Sequence, residues 1–140
     1  MGRKTSPTEK VLEQLRQRKF LAQVVERWNP FAKPFGVRVD LFGAIDIVAI
    51  APAPNVIVGV QATAVSGMSA RRKKALEREF LPKWLDAGAE FWVFGLDRKA
   101  GRYKLDRARF SADRQSVVFD CGLTFADVAA AMERETGHAR

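Results

Sequence analysis

Two short apolar runs separated by a proline-rich turn constrain the fold of this chain more than any other feature. The first occupies residues 45–50 and the second residues 56–60, with Pro52 and Pro54 between them. Near-continuous apolar runs of this length predict strands that are covered on both faces of a sheet. Asp46 interrupts the first run, and a carboxylate buried without a partner costs several kcal/mol. We therefore expect a metal ion or a basic side chain near Asp46.

Two polar residues follow the second apolar run at alternate positions. Gln61 and Thr63 are separated by one residue, so on a strand their side chains point to the same side. If the two runs pair, this polar pair lies beside Asp46. Two simpler interpretations stay open: Asp46 pairs with a cation such as Arg38, or Gln61 and Thr63 only close the end of a strand.

The composition bounds the class of protein and its partners. The chain has 140 residues, a length typical of a single domain with its own core. Its net charge of +8 favours a polyanionic partner, foremost DNA, although a merely soluble basic protein is the alternative. The single Cys121 suits a reducing compartment, and no apolar run reaches the ~20 residues of a membrane span. We therefore expect a cytoplasmic protein without a membrane partner.

The N-terminal part combines a capped helix, a strand and a loop. Ser6, Pro7 and Glu9 are the N-cap, the first position and the capping-box acid of a helix. Residues 20–28 favour a strand through their aromatic and β-branched content, although their apolar spacing also permits the helix to continue. Residues 29–36, with two prolines and a glycine, predict a loop that exposes aromatic rings and a lysine. Such rings could stack on unpaired bases, but aromatics beside prolines more often pack.

The remaining residues predict a basic helix, a central strand and a C-terminal extension. Residues 70–86 are helical in composition, with Ser69 as the N-cap and Pro82 as a kink or the start of a second helix. The helix has an apolar stripe and a basic face, formed respectively by Leu76, Phe80 and Trp84 and by Arg71, Lys74 and Arg78. The predicted later elements are a central strand over 91–96, an antiparallel pair from 102–110 and 116–119, and a helix from Thr124 to about Glu135.

These elements predict an α/β fold with a mixed central sheet flanked by helices. Their order is helix, three strands, basic helix and strand, followed by an antiparallel extension and a closing helix. A strand, a helix and a strand in succession imply a parallel pair of strands around the basic helix. We assign residues 1–140 to one domain, with a core over about 6–96 and an extension over about 97–136.

An acid beside two polar side chains suits metal-assisted hydrolysis of a phosphodiester. Magnesium prefers oxygen ligands, polarises a phosphoryl group and lowers the pKa of a bound water. Asp46 can supply the anionic ligand and Gln61 a neutral carbonyl ligand. Thr63 can form a hydrogen bond to a water or to a phosphate oxygen.

Two segments, D-L-F-G-A-I-D at residues 40–46 and V-Q-A-T at residues 60–63, carry a resemblance to a known family. The chain resembles the PD-(D/E)xK phosphodiesterase superfamily, which includes Holliday-junction resolvases and phage and restriction endonucleases. The resemblance implies a restriction-endonuclease-like core, with Asp46 as a metal ligand and Gln61 and Thr63 at the positions of the E-x-K pair. It also implies a further acidic ligand in the first helix, for which Glu9 is the nearest candidate and Glu13 the second.

The motif departs from the superfamily at two positions. Gln61 removes a negative charge from the cation site, and Thr63 removes the ammonium of the motif lysine. A cation of the basic helix could replace that ammonium, and the candidates are Arg71, Arg72, Lys73 and Lys74. Asp40 is a tentative second metal ligand, although a loop or capping position is its simpler interpretation.

The sequence thus predicts a DNA endonuclease that depends on Mg²⁺ or Mn²⁺ and acts on duplex or branched DNA. The DNA would contact basic side chains, and the candidates are Lys33, Arg71, Arg72, Lys74 and Arg78. A homodimer is possible by analogy with resolvases. The alternatives are a catalytically inactive DNA-binding protein of the same fold, and an assembly or inhibitor protein that binds an acidic protein.

Overall fold

Four helices and eight strands form the part of the chain that this computed structural model describes, residues 6–31 and 35–138, with side chains as far as Glu135. The helices are α1 (Pro7–Gln17), α2 (Met68–Leu76), α3 (Phe80–Asp86) and α4 (Phe125–His138). The strands are β1 (Leu21–Val24), β2 (Arg27–Asn29), β3 (Val37–Val39), β4 (Ile47–Ile50), β5 (Ile57–Ala64), β6 (Glu90–Asp97), β7 (Arg102–Phe110) and β8 (Val117–Leu123). None of the described helices is both long and apolar enough to cross a membrane.

Six of these strands form one mixed sheet in the order β1-β4-β5-β6-β7-β8. β1, β4 and β5 are antiparallel neighbours, as are β6, β7 and β8. β5 and β6 are parallel, and α2 and α3 lie between them in the chain. The predicted α/β class, its parallel pair and its C-terminal antiparallel pair are confirmed, and antiparallel pairs predominate.

The sheet is covered by helices on both faces, as the apolar runs predict. One face packs with α1 and α4, and its core includes Val60, Trp92 and Phe94. The other packs with α2 and α3, and its core includes Phe91 and Val93. The alternation of residues 91–94 between the two cores follows from the two-residue period of a strand. A central strand therefore has to be apolar throughout, and β6 is buried from Phe91 to Leu96.

Local sequence signals position both terminal helices as expected. The Ser6 hydroxyl accepts a hydrogen bond from the Glu9 N–H at 3.2 Å, which caps α1. Thr124 and Asp127 form a reciprocal capping box at the start of α4, with bonds of 2.9 and 3.1 Å. The last helix continues beyond the predicted Glu135 to His138.

The single strand predicted for residues 20–28 is wrong, because the segment divides between two sheets. β1 pairs with β4, and the Val25 N–H still donates to the Asp46 carbonyl at 2.9 Å. The chain then leaves the main sheet, and β2 pairs with β3 in a separate antiparallel hairpin. Apolar content alone does not reveal this change of pairing partner.

The basic helix also differs from its prediction in its start, its break and its apolar stripe. A 3-10 turn, Val65–Gly67, leads directly into α2 at Met68, so Ser69 lies inside the helix and is not its N-cap. The helix divides at residues 77–79, with Pro82 in the first turn of α3. Leu76 is half-exposed and does not belong to the stripe, whereas Phe80 and Trp84 pack on the sheet. The Met68 side chain occupies the space beside Gly95 of β6, which anchors the start of α2 two residues earlier than predicted.

A buried arginine connects α4 to the sheet. Arg107 of β7 donates to the Glu90 carboxylate at 2.7 and 2.9 Å and to the Glu135 carboxylate at 3.0 and 2.6 Å. Its side chain is 4% exposed, so these two acids supply the counter-charges that stabilise the buried guanidinium. By contrast, the ion pair between Arg109 of β7 and Asp120 of the edge strand β8 is exposed to solvent.

We expect Arg107→Ala to destabilise the fold by about 3–5 kcal/mol, because Glu90 loses its buried counter-charge. Arg109→Ala is the matched control and should cost about 0.2–1 kcal/mol, since an exposed ion pair contributes little. Urea denaturation of both variants measures the difference. Equal losses of stability in the two variants would contradict the role of Arg107 as a buried counter-charge.

Candidate functional site

Asp46 lies at the point where the hydrogen-bond ladder between β4 and β5 ends. The last residue pair of the ladder is Ile47 with Val60, and the Asp46 N–H donates to the Val60 carbonyl at 2.9 Å. Beyond this pair, the Ala62 N–H donates to the two carboxyl oxygens of Asp46 at 3.2 and 3.1 Å. The side chain of Asp46 therefore takes the place of the next carbonyl of the ladder, because a buried backbone N–H needs an acceptor.

Burial strongly perturbs the Asp46 carboxyl group, which is 2% exposed. Desolvation is the largest cause and raises its pKa from 3.8 to about 8, against the opposing hydrogen bond from Ala62. The negative charges of Asp40 and Glu26 contribute to this rise in pKa, and the positive charge of Arg71 opposes it. At neutral pH and without a bound cation, this carboxyl is therefore mostly protonated. A strongly perturbed acid in a cleft is typical of functional sites.

Gln61 and Thr63 lie inside β5 and not at its end, since the strand continues to Ala64 and pairs with β6 throughout. Gln61 is brought to Asp46 as predicted, and its Nε2 donates to the Asp46 carboxyl at 3.0 Å. Thr63 points to the same side, where its hydroxyl lies against Gly67. A Cβ at Gly67 would approach the Thr63 Oγ1 to 2.4 Å, so a glycine is required there.

Asp46, Gln61 and Thr63 face a cleft of about 380 Å³. The beginning of α2 supplies two cations to its wall, Arg71 and Lys74. The other side chains of the wall come from the start of α1, from β3 and from the residues beside β2 and β3, and they are Ser6, Pro7, Thr8, Glu26, Arg38 and Asp40. The cleft thus combines three acids with three cations around a neutral polar floor.

The alternative in which Asp46 pairs with Arg38 is not what the structure has. The Arg38 Nη1 donates to the Glu26 carboxylate at 3.2 Å. Asp46 instead contacts Gln61 and the backbone of Ala62.

Several of the predicted site residues lie elsewhere. Glu9 is exposed on α1 and is not part of the wall of the cleft, and the Glu13 carboxylate accepts a hydrogen bond from Gln17 at 3.3 Å. Arg72 forms an ion pair with the buried Asp106 of β7. The Arg78 guanidinium lies beside the backbone of Gly43, outside the cleft. The predicted DNA contact Lys33 lies outside the described residues.

Sequence reasoning missed Glu26, which enters the cleft from the segment between β1 and β2. The available signal was an acid directly after the apolar pair Val24 and Val25. It was not recognised because residues 20–28 were assigned to one strand, which hides the turn that directs Glu26 inward. Ser6 and Thr8 also line the cleft, whereas the sequence predicts only a capping role for Ser6.

The donor set bears on metal binding in two ways. The acids, amide and hydroxyls of the cleft are oxygen donors, which suit magnesium or manganese. Among the described residues, however, no three acidic, histidine or cysteine side chains come close enough together to hold a metal ion by themselves. Any cation here would keep several waters or use oxygens of a ligand.

Comparisons with protein-family models, with curated proteins and with solved structures found no match to this chain.

Asp46→Asn should flatten the pH dependence of stability in metal-free buffer. The folded carboxyl keeps its proton up to about pH 8, whereas the unfolded carboxyl loses it near pH 3.8. The folded state thus binds more protons across this window, and the free energy of unfolding falls as pH rises through it, by roughly 6 kcal/mol in total at about 1.4 kcal/mol per pKa unit. Denaturation of both proteins with a chelator present, at several values across the window, measures the difference. Parallel pH curves for the two proteins would contradict the assignment.

Proposed function

We propose that this protein is a metal-dependent DNA endonuclease of the PD-(D/E)xK type, possessing the restriction-endonuclease-like core that the sequence resemblance implies. The observation that carries the proposal is the cleft in which the buried carboxyl of Asp46 meets Gln61 and Thr63 beneath two cations, Arg71 and Lys74. An ionisable acid in a cleft that also holds cations suits a reaction in which a phosphate and a metal ion bind together.

The order of the elements supports this proposal. α1 is followed by three antiparallel strands, β1, β4 and β5, then by α2 and α3, and then by β6 parallel to β5. The same order of helix, three strands, helix and strand is implied by the resemblance. The β2–β3 hairpin is an insertion between the first two of those strands, and β7, β8 and α4 extend the sheet.

The donor set fits a magnesium ion that has few protein ligands. Magnesium is commonly held by one or two carboxylates together with waters and substrate phosphates, so a cluster of three acids is not required. Asp46 would be the main ligand, and Asp40 or the Gln61 carbonyl oxygen would be the second. When bound, the ion would polarise the phosphoryl group and lower the pKa of a water.

The other residues of the cleft act on the phosphate and on water. Arg71 and Lys74 would neutralise the phosphate that enters the cleft and could supply the charge of the absent motif lysine. Both come from the first two turns of α2, on the side that faces Asp46. Thr63 would hold a water or a phosphate oxygen by a hydrogen bond, since an unassisted hydroxyl is not a base near neutral pH.

A second candidate, a DNA-binding protein that does not cleave, is favoured by one observation. The Asp46 carboxyl is satisfied inside the protein, because the Gln61 amide and the Ala62 N–H donate to it. With its pKa at about 8, it can remain neutral without a cation. The buried Asp46 carboxyl is therefore stable in the fold even if no metal ion binds to it.

Cleavage of supercoiled, linear and four-way-junction DNA in Mg²⁺, Mn²⁺ and chelator decides between these functions. We expect cleavage with either cation and a loss of at least about a hundredfold in Asp46→Asn, because the variant lacks the anionic ligand. Asp86→Asn, which removes an exposed acid on α3, is the matched control and should cleave normally.

Salt-sensitive binding without cleavage in either metal would instead establish the DNA-binding protein. Binding to acidic proteins but not to DNA would support an assembly or inhibitor protein. Undiminished cleavage by Asp46→Asn would remove Asp46 from the reaction.

The cations of the cleft should contribute individually to DNA affinity. Arg71→Ala and Lys74→Ala should each reduce the slope of log affinity against log salt by about 0.9, the value for one phosphate contact with duplex DNA. Lys73→Ala is the control, because Lys73 is exposed on the same helix outside the cleft. Fluorescence anisotropy over a salt series measures the slopes. An equal effect of all three changes would mean that DNA is attracted by the overall charge of α2 and not by specific contacts in the cleft.

A further inference from the structure

We propose that the β2–β3 hairpin is an arm that binds unpaired bases of a nucleic acid by stacking on Phe31 and Phe35. This inference rests on the proposed function and deepens it by naming the DNA structure that the cleft would receive. The hairpin consists of Arg27–Asn29 and Val37–Val39, which pair with each other and not with the main sheet.

The two rings at the end of the hairpin are almost fully exposed. Phe31 is 91% and Phe35 is 87% exposed, and Trp28 is 57% exposed beside them. The expectation that these aromatics pack in the manner of proline-flanked rings is therefore wrong for Phe31 and Phe35. Apolar residues grouped at one exposed place commonly mark an interaction site.

Contacts of the Asn29 and Trp28 side chains with the backbone hold the hairpin next to the two rings. The Phe31 N–H donates to the Asn29 Oδ1 at 3.1 Å, which forms a tight turn after β2. Gly36, directly after Phe35, has a φ of +88°, and the Trp28 indole lies against it. A Cβ at Gly36 would approach the Trp28 Cζ2 to 2.3 Å, so this arrangement requires a glycine. A preordered backbone reduces the entropy that binding would cost.

The base of the hairpin is continuous with the cleft. Arg38 of β3 and Glu26 before β2 form an ion pair, and both line the cleft that contains Asp46. Phe35 is three residues from Arg38, so their Cα atoms are at most about 11 Å apart, the reach of three extended residues. A nucleic-acid strand that has one phosphate in the cleft would therefore place a base against the rings within a few nucleotides.

The charge and shape of the arm favour nucleic acid as its partner. Arg27 and Arg38 are exposed on the hairpin, and the whole chain has a net charge of +8. Rings beside cations form the surface on which unpaired bases stack, and each such stack contributes to affinity without base specificity. Bases of an intact duplex are stacked on one another, so the arm would distinguish junctions, loops and single strands from paired DNA.

The test compares binding of the full chain to a fully paired duplex and to the same duplex with an unpaired loop. The double variant Phe31→Ala and Phe35→Ala should weaken binding to the looped DNA by about 5- to 150-fold, the range for loss of one stacked base. Binding to the paired duplex should change by less than about twofold. Phe31→Tyr with Phe35→Tyr should restore binding, because tyrosine also presents a ring.

Leu21→Ala is the surface control, since Leu21 is exposed on β1 away from the hairpin and should leave both affinities unchanged. Thermal unfolding of each variant confirms that the fold is kept. Sedimentation of wild type and double variant, without DNA, tests whether the rings instead bind a second copy of the chain.

Three results would contradict the proposal that the hairpin binds unpaired bases. These are unchanged binding to looped DNA, an equal loss on both DNAs, and a loss of self-association without an effect on DNA. If wild type binds and cleaves DNA while the double variant behaves identically, only this inference fails. If wild type binds neither DNA, the proposed function fails as well.

Discussion

The hydrogen bonds between the Asp46 carboxyl and the Ala62 N–H are the interaction on which the functional part of the structure depends. They satisfy the backbone of β5 where its pairing with β4 ends, so the strand can continue, paired with β6, as far as Ala64. That continuation brings Gln61 and Thr63 to the floor of the cleft. The same interaction keeps a carboxyl group among apolar residues, and burial raises its pKa to about 8. The end of the pairing between β4 and β5 and the raised pKa of Asp46 are therefore consequences of one physical arrangement.

The cleft exists because the chain leaves the main sheet beside Asp46. After β1 the backbone turns at Val25 and Glu26, forms the β2–β3 hairpin, and returns through Asp40 to β4. This excursion leaves the floor of the cleft uncovered on that side and supplies Glu26, Arg38 and Asp40 to the wall. α2 closes the opposite side with its cations. The two cations of α2 thus face Glu26 and Asp40 across the opening, and Asp46 on the floor forms hydrogen bonds with Gln61 and Ala62 instead of an ion pair.

Much of the fold could be predicted because its signals are local. Ser6 and Thr124 cap helices through hydrogen bonds within three residues, and the apolar run of β6 requires burial on both faces. Leu76 was placed wrongly because helical spacing does not show where a helix ends relative to its sheet. Arg72 was grouped with the cations of the cleft, since the sequence does not reveal that Asp106, 34 residues later, is its partner.

The sequence by itself determined a mixed sheet with one parallel pair and a polar set of Asp46, Gln61 and Thr63 on adjacent strands, because strand periodicity and helix capping act over a few residues. Only the tertiary structure decided that Glu26 enters the cleft, that Arg71 and Lys74 face it while Arg72 and Arg78 do not, and that Phe31 and Phe35 project from a separate hairpin. These outcomes depend on which distant segments pair and on where the chain leaves the sheet. Pairing between distant segments is settled by the packing of the whole core, which no short stretch of sequence contains.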